Sequence, residues 1–178
     1  MKPSTRLINY IRWHEGLILM PMFDDYAGTP DVIEYSIGYG HQIQPNETYL
    51  YAGITKVKAE ELLKSDVTKA GDYVEYYMKR GLNQKQYDAL TNLVYAVGAG
   101  NASYIMKMIN DREPKSKIKE AWKKFGTYWQ GKQWPGLVKM RATEIDWFYS
   151  IDAVDIALYT AIAGGLLLLL TTPQNDRV

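Results

Sequence analysis

The sequence predicts an α+β protein with a mainly helical larger part, a small antiparallel β sheet and a C-terminal transmembrane helix. Apolar residues recur at helical spacing in five stretches of the 178-residue chain. Between Met20 and Leu50, glycines and prolines instead separate short strand-like pieces such as residues 32–37. From Ile156 to Thr172 the chain carries no charge. These three patterns predict one globular domain followed by one apolar tail.

The first helix is predicted from Leu7, Ile8 and Ile11, which fall near helical spacing with charged residues elsewhere around the wheel. It is expected to end near Gly16. Glu15 would then lie at the end of the helix, next to the segment of turns and short strands.

The later helices carry start and stop signals. Thr55 is a predicted N-cap, and the helix after it has an apolar stripe formed by Val57, Leu62, Leu63, Val67 and Ala70. Asn83, with Gln86 three residues on, is a capping-box signature for a third helix, which Gly98 would end. Two further helices are predicted over residues 118–125 and 137–148, with a loop around Trp129, Gly131 and Trp134 between them.

Composition excludes several classes of function. Lys and Arg number 21 against 20 Asp and Glu, a formal net charge of +1, so no basic field would draw the chain to nucleic acid. The absence of cysteine excludes disulfides and thiol nucleophiles, and two histidines, His14 and His41, are too few for most histidine metal centres. No metal or cofactor is therefore expected. Residues 1–13 lack the apolar stretch of a signal peptide.

The apolar tail, residues 153–172, is apolar on every side of a helix, so it must be buried all round or lie in lipid. Its uncharged part would span about 25 Å, close to the roughly 30 Å of a bilayer's hydrocarbon core. We therefore expect a domain over residues 1–150, a membrane anchor over 153–172 and a short polar tail over 173–178. The alternative is a C-terminal helix docked into the domain or into an oligomer interface.

Several short motifs occur in order along the first 150 residues. They are Glu15-Gly16, Ser36-Ile37-Gly38-Tyr39-Gly40-His41, Leu82-Asn83-Gln84 with Asp88-Ala89-Leu90, Val97-Gly98-Ala99-Gly100, and Pro135-Gly136-Leu137-Val138 with Arg141 and Glu144. In these motifs the chain resembles the phage-type lysozymes, glycoside hydrolases of the phage endolysin family, over roughly residues 7–150. The resemblance implies a lysozyme-like fold and cleavage of the β-1,4 bond between N-acetylmuramic acid and N-acetylglucosamine.

The resemblance also implies the site residues: a glutamate, an aspartate and a threonine at the edge of the small sheet. The glutamate falls on Glu15 and the threonine position on Ser36. For the aspartate, Asp25 keeps the local pattern of an aromatic residue two before and a glycine three after, and it is the preferred candidate. Asp24, which keeps the family's interval from Glu15, is the alternative. The chain between Gly28 and Ser36 is longer than the family pattern by about five residues.

In the implied mechanism Glu15 is the acid that protonates the leaving oxygen, kept neutral by partial burial against apolar and aromatic neighbours. Asp25 remains ionised and Ser36 orients a water molecule. The resemblance further implies that His41 forms a structural ion pair with Asp66. Trp122, Trp129, Trp134 and Trp147 are expected mainly to pack in the core or loops instead of binding sugar.

The tail and the resemblance together imply a membrane-anchored peptidoglycan hydrolase whose partners are glycan strands and a lipid bilayer. The expected setting is a virus of bacteria. The protein would lie in the membrane of a lipid-containing virion for entry, with membrane or capsid proteins as candidate partners, or in the host inner membrane for lysis. A lytic transglycosylase on the same scaffold is the first alternative, and a non-catalytic wall-binding structural protein is the second. The single candidate span disfavours a pore-forming lysis protein.

Overall fold

Six α helices, a short 3₁₀ helix and two small antiparallel sheets form the part of the chain that a computed structural model describes, residues 1–24, 34–129 and 132–150. The elements in chain order are α1 (Thr5–Glu15), β1 (Ile18–Asp24), β2 (Glu34–Gly38), β3 (His41–Gln42), the 3₁₀ helix (Thr48–Ala52), α2 (Lys56–Tyr77), α3 (Gln84–Val97), α4 (Ala99–Asn110), α5 (Lys115–Lys124), β4 (Tyr128–Trp129), β5 (Lys132–Gln133) and α6 (Pro135–Tyr149). The predicted architecture of a mainly helical body with a small antiparallel sheet is confirmed.

The N-terminus of α1 is tied to α3 through one buried carboxylate. The Ser4 hydroxyl caps α1 by accepting from the Leu7 N–H at 3.2 Å, and it donates to Asp88 Oδ2 at 2.5 Å. Asp88 is fully buried, and its Oδ1 also accepts from Gln84 Nε2 at 2.9 Å. A buried carboxylate is tolerated only when donors surround it. The position of α1, and of the carboxylate at its far end, therefore depends on α3.

The small sheet has the order β1-β2-β3 and is antiparallel throughout. Between the pairs Ile18↔Gly38 and Met22↔Ser36, β1 advances four residues while β2 advances two, so the ladder is irregular there. Pro21 lies in this irregular stretch, where its missing N–H removes no ladder hydrogen bond. From Met22 onward the register is regular and places Ser36 in the central strand, between β1 and β3.

Helix α2 joins the two parts of the core. On one side Leu63 and Val67 belong to a cluster with residues of α1 and with Tyr39. Leu62, the neighbouring residue, belongs instead to a cluster beneath the small sheet, with Ile37, Ile43 and Leu50. One helix with apolar residues on both sides thus fixes the sheet against the helical body.

The local helix signals are confirmed, and the differences from prediction have local causes. Thr55 caps α2, both hydrogen bonds of the Asn83 capping box are present, and Gly98 ends α3. Helix α4 was not predicted: it begins directly after Gly98, which ends one helix and precedes the next. Val57, placed on the apolar stripe by spacing, is 69% exposed because it lies in the first turn of α2.

Residues Met1–Phe148 form one compact unit. The predicted membrane anchor, residues 153–172, and the polar tail after it lie outside the described residues, so both stay predictions. Across residues 1–24, 34–129 and 132–150, no helix combines the length and the apolar character needed to cross a bilayer.

Candidate active site

Glu15 is the last residue of α1, and it faces a cleft. Gly16 follows at φ 72° and donates its N–H to the Arg12 carbonyl at 3.2 Å, which closes the helix. Glu15 itself is exposed, so the expected partial burial of the acid is not observed. It lines a cleft of about 360 Å³ together with His14, Ile18, Met22, Ser36, Gly40, Tyr95, Ala96, Leu137 and Met140. The cleft thus lies among α1, the small sheet, α3 and α6.

The turn between β2 and β3 approaches the carboxylate closely. Gly40 has φ +88°, and a Cβ built on it would lie 3.5 Å from Glu15 Oε2 and 4.0 Å from the Tyr95 hydroxyl. The positive φ favours glycine at this position, and the distances show that the turn lies in van der Waals reach of the Glu15 carboxylate. Tyr95 donates to the Tyr39 carbonyl at 2.5 Å, which fixes α3 to the same turn.

Tyr95 remains a neutral hydroxyl at the floor of this cleft. Burial, with smaller contributions from the charges of Glu15 and Asp66, raises the pKa of its phenol well above the ordinary value. The Tyr95 hydroxyl therefore keeps its proton and its hydrogen bond to the Tyr39 carbonyl at ordinary pH. This hydrogen bond holds the turn beside Glu15.

Ser36 lies in the same cleft as Glu15. It is the central residue of β2, pairs with Met22 on one side and Gln42 on the other, and is 7% exposed. The fold therefore brings together two of the residues that the sequence singled out, although they are 21 positions apart in the chain.

The two aspartate candidates stay undecided. Asp24 is the last residue of β1, where its backbone pairs with Glu34, but its side chain is outside the described part. Asp25, the preferred candidate, and the extra residues that follow it also lie outside the described residues. The choice between Asp24 and Asp25 stays a prediction from the sequence.

His41 lies between two carboxylates. Its Nδ1 is 2.6 Å from Asp66 Oδ2 and its Nε2 is 2.8 Å from Glu47 Oε2, while the side chain is only 6% exposed. The hydrogen bond to Asp66, opposed by desolvation and reinforced by Glu47, raises the pKa of the imidazole above its ordinary 6.5. Both ring nitrogens are engaged with carboxylates, so neither is available as a catalytic base. The imidazole instead connects β3, the turn before the 3₁₀ helix, and α2.

A second cavity lies beside His41. It has a volume of about 520 Å³, shares Gly40 and Tyr95 with the cleft at Glu15 and extends along His41, Asp66 and the end of α3. Two neighbouring cavities that share lining residues offer more room to a chain-like ligand than either offers alone.

Behind the cleft lies a polar network that the sequence did not reveal. Glu144, fully buried, accepts from Asn92 Nδ2 at 2.6 Å and from Trp122 Nε1 at 2.8 Å, and it pairs with Arg141 Nη2 at 2.9 Å. Desolvation, partly offset by Arg141, raises the pKa of this carboxyl to about 7. The Nε and Nη1 atoms of Arg141 are buried with no hydrogen-bond partner. The network holds α6 to α3 and α5, and its Arg141 also contacts the sulfur of Met140, a cleft residue.

The tryptophans differ in their environments. Trp122 is fully buried, as expected for a packing residue. Trp147 packs against Tyr10 and lies under the guanidinium of Arg6, 4.2 Å from its carbon. Trp134 is 48% exposed, and the side chain of Trp129 is outside the described residues.

Chemically, the lining of the cleft offers the exposed carboxyl group of Glu15 at a helix end and the side chain of Ser36, with a second cavity beside it. In the described segments no cluster of three or more His, Cys, Asp or Glu side chains could hold a metal ion. Proton transfer by Glu15 is the chemistry that these residues can perform.

Comparisons with known proteins agree on one family. The sequence model of the family described as phage lysozyme matches residues 13–144. The endolysin of Bacillus phage PZA is 34% identical over 151 residues, covering 81% of this chain and 54% of that protein. The SAR-endolysin of bacteriophage PS119 is 32% identical over 116 residues, covering 62% of this chain and 65% of that protein. The chain thus spans little more than half the length of the PZA relative.

Solved structures share the fold. The muramidase domain of SpmX from Asticaccaulis excentricus superposes with a TM-score of 0.66 at 23% identity, covering 84% of this chain and 99% of that chain.

Proposed function

Because this chain belongs to the phage lysozyme family, we propose that it is a muramidase that hydrolyses the β-1,4 bond between N-acetylmuramic acid and N-acetylglucosamine in peptidoglycan. One observation carries the proposal: Glu15 and Ser36 line one cleft, with Glu15 at the end of α1 and the bare Cα of Gly40 beside its carboxylate. A carboxylic acid on one wall of an open groove is what protonation of a glycosidic oxygen requires.

In the proposed mechanism Glu15 donates its proton to the leaving oxygen as the bond to the anomeric carbon breaks. Glu15 lies at the carbonyl end of α1, exposed to the cleft that it lines. Asp25, or Asp24 in its place, stabilises the positive charge that develops on the sugar ring. The Ser36 hydroxyl orients the water molecule that attacks the anomeric carbon, and the proton that this water loses replaces the one that Glu15 gave up.

The test is mass spectrometry of the glycan ends that the protein releases from purified sacculi. Hydrolysis leaves reducing N-acetylmuramic acid ends, because water supplies the oxygen at the broken bond. A lytic transglycosylase on the same scaffold would leave 1,6-anhydro ends. The absence of any released glycan would support a non-catalytic wall-binding protein and would reject the enzyme.

We propose that residues 153–172 anchor the enzyme in a membrane, either that of a lipid-containing virion, beside other membrane or capsid proteins, or the host inner membrane. The support comes from the chain itself. The compact unit ends at Phe148, whereas the uncharged run begins only at Ile156 and continues to Thr172. A sequence that would be apolar on every side of a helix, and that follows the compact unit along the chain, favours a lipid environment.

A further inference from the structure

Trp13 is a large aromatic residue that the fold leaves open to solvent beside the cleft. Its side chain is 69% exposed, although it lies in α1 two residues before Glu15. In the same protein the indole of Trp122 is fully buried. Covering an exposed indole with an apolar surface is favourable, so Trp13 offers contact area to a ligand that reaches it.

The neighbours of Trp13 belong to the wall of the cleft. The ring of His14, which lines the cleft, meets the indole edge to face with centroids 6.1 Å apart. The Nζ atom of Lys139 lies 5.7 Å from the indole centroid. Lys139 stands in α6 between Leu137 and Met140, which both line the cleft. Trp13 of α1 and Lys139 of α6 therefore lie next to this wall of the cleft.

We propose that Trp13 and Lys139 form a glycan-binding extension of the cleft. The indole takes the C–H face of a saccharide unit, and the ammonium group takes a carboxylate of the peptide carried by N-acetylmuramic acid. The inference rests on the proposed function, because a strand cleaved at Glu15 must run out of the cleft at both ends. An aromatic face beside a fixed positive charge matches a ligand with apolar C–H faces and anionic substituents.

A lipid surface is the other occupant that an exposed indole could contact. The immediate surroundings favour the glycan: the indole meets the rings of Tyr10 and His14 and lies near the ammonium group of Lys139, and each of these three side chains carries a polar group. Interfacial helices that lie on lipid require a broad apolar face. The contact with a residue that lines the cleft also links Trp13 to the glycan path.

Binding can be measured without cleavage by placing every variant in a full-length Glu15→Gln background. Co-sedimentation is followed with intact sacculi and with glycan strands stripped of their peptides. We expect Trp13→Ala to weaken binding to both materials about tenfold, near the upper range of a single aromatic contact, and Trp13→Phe to retain most of it. Lys139→Gln should weaken binding to the peptide-bearing material alone, and Lys139→Arg should preserve it.

Tyr104→Ala is the matched control, since Tyr104 is 53% exposed and lines a separate depression with Tyr77 and Lys107. It should bind both materials as the parent does. Binding by Trp13→Ala within twofold of the parent, or an equal loss in Tyr104→Ala, would overturn the inference. The same variants are also sedimented with phosphatidylglycerol vesicles. If Trp13→Ala lost binding only to these vesicles, the inference would also be overturned and the indole would be assigned to lipid. If the parent protein, with Glu15 intact, failed to cleave sacculi, the proposed function would be rejected instead. The binding differences do not depend on turnover, so the two failures can be told apart.

Discussion

Single residues carry the proposed chemistry, and Glu15 is the first of them. Replacement of Glu15 by Gln keeps the shape of the side chain at the end of α1 but leaves no proton that can be donated to a leaving oxygen. We expect the rate of sacculus cleavage to fall by about a thousandfold or more, in the range attributed to general acid catalysis, with an unchanged melting temperature. Turnover near that of the parent by a folded Glu15→Gln protein would remove Glu15 from the mechanism.

The aspartate next to β1 can be identified by a pair of substitutions. Asp25→Ala should lower the cleavage rate by at least about a hundredfold, the scale of a lost electrostatic contact to the transition state. Asp24→Ala, one position away, serves as the control and should lower it much less. The opposite order in steady-state rates on sacculi would move the role to Asp24.

The His41 network makes stability depend on pH in a defined direction. A raised imidazole pKa means that the contribution of His41 is complete below its ordinary pKa of 6.5 and is lost as pH rises through the folded value. For Glu47, burial opposes ionisation, but the Gln44 N–H and His41 outweigh it and hold the pKa below the ordinary 4.5. Its contribution is therefore complete above pH 4.5 and is lost as pH falls through the folded value.

Thermal unfolding of His41→Asn beside the parent should show the largest difference between about pH 4.5 and 6.5. The expected loss there is about 1.5–3 kcal/mol, the usual range for hydrogen bonds to charged groups. The double variant His41→Asn/Asp66→Asn should lose less than the sum of the two single variants, because they share one contact. A difference that stays constant from pH 4 to 9 would show that the charge of His41 does not stabilise the fold.

At the scale of elements, helix contacts depend on where small residues and buried polar groups fall. Helices α2 and α3 meet at Gly71, where an added Cβ would lie 2.0 Å from the Tyr87 hydroxyl. Helix α6 is held to α3 and α5 by Glu144, which receives donors from Asn92 and Trp122. Helix α6 carries Leu137 and Met140 into the cleft, so the Glu144 contact helps to set the position of that wall.

The Gly71 contact reverses the usual effect of a helical glycine. Alanine in place of a helical glycine normally stabilises by roughly 0.5–1 kcal/mol. Gly71→Ala should instead destabilise by about 1–3 kcal/mol, as overpacked cores do, because its Cβ would displace Tyr87. Gly100→Ala is the control, since nothing lies within 4 Å of a Cβ at that position in α4, and it should be neutral or stabilising. Equal denaturation midpoints for the two variants would contradict the packing argument.

At the scale of the whole molecule, the domain and the proposed anchor should be separable. Deletion after Ser150 leaves the compact unit Met1–Phe148 complete, so the truncated protein should be soluble and still cut peptidoglycan, whereas the full chain should sediment with membranes. Leu167→Arg in the full chain gives an independent check. It should release much of the protein from membranes, because a charge near the middle of a span costs about 2.5–3.5 kcal/mol on insertion scales.

The membrane proposal can also be contradicted by the behaviour of the truncated and full-length proteins. A truncated protein that aggregates or unfolds, beside a full chain that stays in the aqueous fraction without detergent, would mean that residues 153–172 pack in a core. The membrane proposal would then be wrong, while the proposal for the cleft would stand on its own assay.

The sequence by itself determined the features that local physics controls. Thr55 and the Asn83 capping box marked helix starts, Gly98 marked an end, and Glu15 was expected at the end of α1. These are decided within a few residues by backbone hydrogen bonds and by glycine's access to positive φ. The motifs around Ser36 and His41 added the family and the expected site.

Only the tertiary structure decided which polar and aromatic residues are buried. Lys58 with Glu61 and Arg141 with Glu144 are both spaced i,i+3, yet the first pair is 38% and 62% exposed and the second 1% and 0%. Trp13 and Trp122 differ in the same way. Spacing fixes which side chains can meet on one helix, but burial depends on what packs over that face from distant parts of the chain. The contact between Glu47 and His41 was likewise not predicted, because it depends on the turn that brings Glu47 to the imidazole ring.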